Sequence, residues 1–270
     1  MKRKVYIAEI QEIETEILKL VVSLCNEYEI SYHLSYGSLL GAIRHKGPIP
    51  WDADVDIAIP YPQLEKFITI MKEKLPNKFV LEEPGVTRKY NRLFPRIGLK
   101  NLNRNIVHVD VFYWIGLPEE STKQKIFISK SKCLDQIFRY KNIPIESISS
   151  SVIKRFCAVV LKLLLSPITN SFILRTFHDH CSKYSYASAE FVTQPCAFNL
   201  KKNILKKETI EELKVADYSG IQVLIPVNYE KYLKNYYGEF MKYPPEKERN
   251  KGLNFYIEVD DVLYRKEYIS

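Results

Sequence analysis

Two short runs, ADVDIAIP at 53–60 and IVHVDVFYW at 106–114, constrain the fold of this 270-residue chain more than anything else in it. Both are β-forming. In the first, Val55, Ile57 and Ile59 alternate with Asp54 and Asp56; in the second, Val107, Val109 and Val111 alternate with His108, Asp110 and Phe112. A strand repeats every two residues, so the spacing predicts Asp54 and Asp56 on one strand face, with the valine and isoleucines packing into a core behind them. Two carboxylates side by side repel at neutral pH unless a cation lies between them. Oxygen ligands at this spacing suit magnesium or manganese. If the two strands lie side by side, Asp110 completes a three-carboxylate metal site. An isolated D-x-D is as often a solvated strand face as a catalytic one. Here Asp110 stands in an otherwise apolar run, where an unpartnered carboxylate would be costly.

The elements around these runs predict a mixed α/β domain. Ile10, Ile13, Ile17, Leu20, Val21 and Leu24 recur at helical spacing within Val5–Tyr28. A short strand is expected at Ser31–Tyr36, then Gly37-Ser38, then a short helix over LLGAIRH. The loop KGPIP follows, and Tyr61–Leu75 reads as a helix. Strands are expected at Phe79–Glu82 and Leu93–Leu99. Glycine at a strand-to-helix turn lets backbone N–H groups approach a phosphate, the helix adds its positive dipole end, and Ser38 adds a hydroxyl donor. That order places phosphate-holding amides opposite a metal site, as phosphoryl transfer requires. Beyond Gly116 the pattern turns helical, over Lys123–Tyr140 and Ser151–Phe177. A strand or hairpin arm around Gly220 and a helix over Tyr229–Tyr237 return toward the core. The expected organisation is a catalytic core over 1–118, a helical region over 119–215 that is either membrane-proximal or packed on the core, and a C-terminal segment over 216–270 packing back on the core.

The stretch YHLSYGSLLGAIRHKGPIPWDADVDIAIP at 32–60 resembles the signature of the LicD family, which includes bacterial choline-phosphate transferases and the fukutin-related proteins. The likeness continues through VHVDVFY at 107–113 and returns in VLIPVNYEKYLKNYYGEFMKYPPEKER at 223–249. The resemblance implies a polymerase-β-like nucleotidyltransferase fold. It implies transfer of a phospho-substituent, phosphocholine by default, from a CDP-activated donor to a glycan or lipid-linked glycan acceptor, releasing CMP. The metal-binding acids it implies fall on Asp54, Asp56 and Asp110. Ribitol phosphate, glycerol phosphate and phosphoethanolamine stay open as the transferred group. Rival readings are a nucleotidyltransferase releasing pyrophosphate and a metal-dependent glycosyltransferase, although the βαβ half expected of the latter is missing before Asp54. A non-enzymatic nucleic-acid or lipid binder would explain the charge but not the acids.

Further candidates are weaker. Arg44, with His45 and Lys46, is expected to neutralise donor phosphates, or else to form a basic surface loop. Trp51 is expected to stack on a cytosine base or to pack in the core. Arg96, with Arg92 and Lys100, is expected to line the same cleft. His178, Asp179, His180 and Cys181 are metal-ligand types, but neighbours at i and i+2 on a helix do not share a face. The net charge of +8 fits an anionic partner without choosing one, and no nucleic acid is expected. Five cysteines without paired spacing fit a reducing compartment. No signal peptide and no run apolar enough to cross a bilayer is seen, so the expected location is cytoplasmic, with peripheral contact at a membrane face. The segment 151–177, where Lys154, Arg155, Lys162 and Arg175 punctuate an apolar helix interrupted by Pro167, is expected either to lie in a membrane interface or to pack on the core.

Overall fold

The computed structural model describes residues 2–100, 107–144, 152–197, 199 and 202–260. Ile106 and Ser151, expected to open a strand and a helix, lie outside them. The chain forms two compact units, one of Met1–Leu81, Arg96–Phe112 and Lys206–Ser270, the other of Glu82–Pro95 and Tyr113–Leu205. The mixed α/β class expected from the sequence is what the structure has.

In the first unit, β1 (Lys2–Tyr6) leads into α1 (Ile7–Glu27). Ile10, Ile13, Ile17, Leu18 and Val21 are wholly buried, so the 3.6-residue repeat read from the sequence is a true core face. Each such side chain contributes about 1.5–3 kcal/mol by leaving water. Glu29, at φ +52, and the bond from Ile30 N–H to the Cys25 carbonyl (2.8 Å) end the helix. Next come β2 (His33–Leu34), α2 (Tyr36–Arg44) and β3 (Val55–Pro60). A 3-10 turn (Tyr61–Gln63) and α3 (Leu64–Lys74) follow, then β4 (Phe79–Glu82), β5 (Arg96–Leu99) and β6 (His108–Leu117). These strands order as β2-β3-β6-β5-β4, so the two acid-bearing runs are indeed neighbours. The β2–β3 and β5–β6 pairs are antiparallel.

Two starts differ from expectation. Helix α2 begins at Tyr36, so Gly37 and Ser38 occupy its first turn rather than a turn before it. Strand β3 begins at Val55, which leaves Asp54 in the approach to the strand and only Asp56 within it.

The second unit carries α4 (Ser121–Asn142), α5 (Val152–Leu164) and α6 (Asn170–Cys181), followed by β7 (Phe191–Thr193). Strand β7 pairs antiparallel with the end of β6. The helical stretch expected over 151–177, interrupted at Pro167, is two helices. Pro167 cannot continue a helix, and Thr169 caps the second by accepting from Phe172 N–H (3.1 Å). The chain passes through β8 (Leu205–Lys206) back to the first unit. There α7 (Glu208–Glu211) precedes a hairpin of β9 (Leu213–Tyr218) and β10 (Ile221–Pro226), which turns at Ser219-Gly220, both with positive φ. Helices α8 (Tyr229–Tyr237) and α9 (Glu246–Leu253) lead to β11 (Tyr256–Asp260), which pairs with β1. Strand β1 was not expected from the sequence.

Candidate active site

Gly37, Ser38, Arg44, Trp51, Asp54, Asp56, Arg96 and Asp110 all lie in the first unit, whereas Arg92, expected to line the same cleft, lies in the second. Asp56 is buried in the middle of the sheet. Its backbone N–H donates to the Ser38 hydroxyl (2.8 Å), and its carbonyl accepts from Ser35 N–H (2.9 Å). Ser38 therefore fixes the strand that carries Asp56, a job the sequence did not reveal. Burial, then the charges of Asp54 and Asp110, push the Asp56 carboxyl well above the usual range.

Asp54 keeps surface open to solvent, yet protein crowds its carboxyl. That desolvation, followed by Asp52 and Asp110, pushes it up to about 7. Asp52 joins the group through a side-chain hydrogen bond with Asp54, and burial raises it as well. Like charges that cannot all ionise share protons instead, so the Asp52–Asp54 pair titrates as a unit.

Asp110 behaves differently. It sits directly across from Arg96 in the β5–β6 register, and the guanidinium clasps both of its oxygens, Nε at 2.6 Å and an Nη at 3.1 Å. Burial alone would raise it, but His108 and Arg96 together hold it well below the ordinary carboxylate range. The buried acid thus has a partner, and that partner is an arginine. Arg96 was expected to face a donor phosphate; its fork is engaged with Asp110. A carboxylate offers about four lone-pair positions; Arg96 takes two and His108 Nε2 approaches Oδ1 at 3.5 Å, so about one remains open on Asp110.

Helix α1 supports the cluster, which the sequence reading missed. Gln11 Nε2 donates to the carbonyls of Ile49 (2.8 Å) and Asp52 (2.7 Å), pinning the loop that presents Asp52. Glu14, one turn on, is fully buried; its Oε1 accepts from His108 N–H (3.5 Å), while Oε2 has no hydrogen-bond partner. Burial and the charge of Asp54 raise it well above the usual carboxylate range and favour its neutral form. The only signal for Glu14 was an acid on the apolar face of a helix.

Gly37 has a steric reason. A Cβ there would meet Asp52 Oδ2 at 2.7 Å. Tyr36 precedes it at φ +44, a costly conformation for a bulky residue. It is held by the bond from its N–H to Tyr232 Oη (3.3 Å) and by ring contacts with Phe112 and Tyr236, 5.2 and 5.1 Å between centroids.

Arg44 and Trp51 belong to a neighbouring cluster. Arg44 donates to the carbonyls of Phe240 (2.9 Å) and Lys242 (3.3 Å) and lies over the Tyr243 ring at 4.9 Å. Trp51 is flanked by Arg44, Arg249, His45 and Tyr243. Both residues tie α2 and the loop after it to the C-terminal segment. In the second unit, His180 is buried against Phe127 and bonded to Ser131 (2.8 Å), whereas His178 and Asp179 are exposed.

The chemistry of Asp52, Asp54, Asp56 and Asp110 fits a hard cation: four oxygen-donor acids, three of them raised by burial and mutual repulsion. Among the described residues, no three His, Cys, Asp or Glu side chains already converge as a ready-made cation site.

Comparison with known proteins bears out the likeness read from the sequence. Residues 29–151 match the family described as LicD/FKTN/FKRP, nucleotidyltransferase domain. The chain is 23% identical over 263 residues to the lipopolysaccharide cholinephosphotransferase LicD of Haemophilus influenzae, covering 92% of this chain and 96% of that protein. Uncharacterized proteins of Rickettsia typhi and Rickettsia prowazekii are 30% and 32% identical over 93 residues, 34% of this chain and 28% and 32% of theirs.

Proposed function

We propose that this chain, whose residues 29–151 match the LicD/FKTN/FKRP family, is a phosphotransferase. It would move a phospho-substituent, phosphocholine by default, from a CDP-activated donor to a hydroxyl of a lipopolysaccharide or related cell-surface glycan precursor. The observation that carries this reading is the crowding of Asp52, Asp54, Asp56 and Asp110 beside the first turn of α2, a set of charges that repel one another until a cation or a proton intervenes. Similarity to the Haemophilus enzyme, along nearly the full length of both chains, supports the choice of substrate class. The core would then have the nucleotidyltransferase fold.

Asp54, Asp56 and Asp110 would hold magnesium or manganese. Such a metal, when bound, neutralises the donor's phosphates. Around it, the amides of Gly37 and Ser38 at the start of α2 would receive a phosphate oxygen. Arg96 would keep Asp110 oriented and ionised. In the reaction, the acceptor hydroxyl attacks the phosphorus distal to the nucleoside, a new P–O bond forms, and the bond to the bridging oxygen breaks to release CMP. Asp110 is too acidic, beside Arg96 and His108, to take the hydroxyl proton. That role falls to Asp52, the raised acid outside the metal set.

The test is a panel of CDP-activated alcohols with magnesium or manganese, with and without glycan acceptor. Acceptor-dependent CMP release, lost in Asp56→Asn, is expected. Acceptor-dependent pyrophosphate from a nucleoside triphosphate would instead make the chain a nucleotidyltransferase.

A further inference from the structure

Helix α5 leaves an apolar face uncovered in the second unit. Ile153, Phe156, Leu163 and Leu164 are 75%, 67%, 66% and 72% exposed, with Val159 and Val160 half-covered between them. The spacing of three and four residues puts Ile153, Phe156, Val160 and Leu163–Leu164 on one stripe, the pattern of a helix that buries a side against something. On its other side Lys162 donates to the Ile143 carbonyl, Lys141 of α4 donates to the Leu165 carbonyl (3.1 Å), and Ala158 and Leu161 are part-buried.

The charge around the stripe says what the something is. Residues 121–181 hold ten lysines and arginines against three acids, so this segment carries most of the chain's net +8. Lys154 and Arg155 are exposed in the first turn of α5, where the helix dipole disfavours cations. At about 1.5 Å per residue, thirteen residues reach roughly 20 Å, short of a bilayer's ~30 Å hydrocarbon core. No helix among the described residues is long and apolar enough to cross a membrane.

We propose that α5 docks the protein in plane on an anionic lipid surface, with Ile153, Phe156, Val160, Leu163 and Leu164 entering the acyl boundary and the basic residues meeting lipid phosphates. Apolar burial and charge attraction then act together, as in interfacial helices. This rests on the second unit alone and stands or falls apart from the chemistry assigned to the first.

The test is co-sedimentation of the full chain with vesicles of phosphatidylcholine, or of phosphatidylcholine with phosphatidylglycerol, at low and raised salt. Binding to the anionic vesicles is expected to exceed binding to the neutral ones by about tenfold or more, and to weaken with salt. Phe156→Glu with Leu163→Glu should abolish it. Lys154→Glu with Arg155→Glu should weaken it by about tenfold or more, since each basic residue near an anionic surface adds roughly a fivefold preference. All four side chains face solvent, and circular dichroism checks that each variant is folded; the charge-reversal pair tests the idea even if the apolar pair misfolds. Equal binding to both vesicle types, no binding, or unimpaired binding by the charge-reversal variant overturns the proposal. So does concentration-dependent dimerisation that Phe156→Glu removes in the absence of vesicle binding, which would assign the face to a second copy.

Discussion

Replacing Asp54 by asparagine removes one charge from a cluster that holds too many. In the folded, metal-free protein this carboxyl is pushed up to about 7, by desolvation first and then by Asp52 and Asp110. An unfolded-chain aspartate titrates near 3.9. Between those values the native state binds more protons than the unfolded state, so stability falls as pH rises. The contribution is intact below about pH 4 and lost as pH passes through 7. A shift of about three units corresponds to roughly 4 kcal/mol. Asp54 keeps open surface and shares its proton with Asp52, so solvent screening and coupling reduce that to about 1–2 kcal/mol.

The asparagine side chain has no charge to repel. In chelator-treated buffer the Asp54→Asn variant should match wild type near pH 4 and exceed it by that amount at pH 8, about 2–8 °C in Tm. Excess magnesium should reverse the order. Wild type gains stability by mass action and the variant, lacking a ligand, gains little. Thermal unfolding by circular dichroism across pH, with and without magnesium, reads all of this without any substrate. A variant less stable than wild type at pH 8 without metal, or a difference independent of pH, would refute the reasoning.

Arg96→Ala should cost about 3–5 kcal/mol in denaturant unfolding, because it breaks a buried ion pair and leaves Asp110 only the longer His108 contact (3.5 Å). Arg96→Lys should recover only part of that, since an ammonium cannot make the two-pronged contact, and full recovery would mean the fork is unimportant. Ser38→Ala should cost about 1–3 kcal/mol by leaving the buried Asp56 N–H without an acceptor, and should lower activity through Asp56. A neutral outcome in both measurements would show that water replaces the hydroxyl.

Periodicity made the sheet legible. Alternation around Asp54–Asp56 and Asp110 identified two strands that the structure places side by side, and the 3.6-residue repeat identified the buried face of α1. What stayed hidden was the set of polar contacts between distant segments. Nothing local in the sequence says that Gln11 holds the Asp52 carbonyl, that Ser38 accepts from Asp56, or that Arg96 lies in register with Asp110. Pairing across a sheet depends on register, and register is set by turns and packing far from either residue. Asp52 was hidden for a related reason. It lies outside the alternating run, and the absence of a side chain at Gly37 leaves room for its carboxylate.

The opposed shifts within one acidic cluster give it its division of labour. Arg96 and His108 stabilise the ionised form of Asp110, while burial and like-charge crowding stabilise the neutral forms of Asp54 and Asp56. A site of four acids all ionised would tear at the sheet, and a site of four neutral acids would offer a cation nothing. On the proposed metal role, pairing one acid with Arg96 and leaving the others to trade protons for a cation would let the fold persist without metal while keeping a demand for positive charge beside Asp54, which is open to solvent. Glu14, buried and held toward its neutral form chiefly by desolvation and then by the charge of Asp54, adds no further negative charge to the cluster.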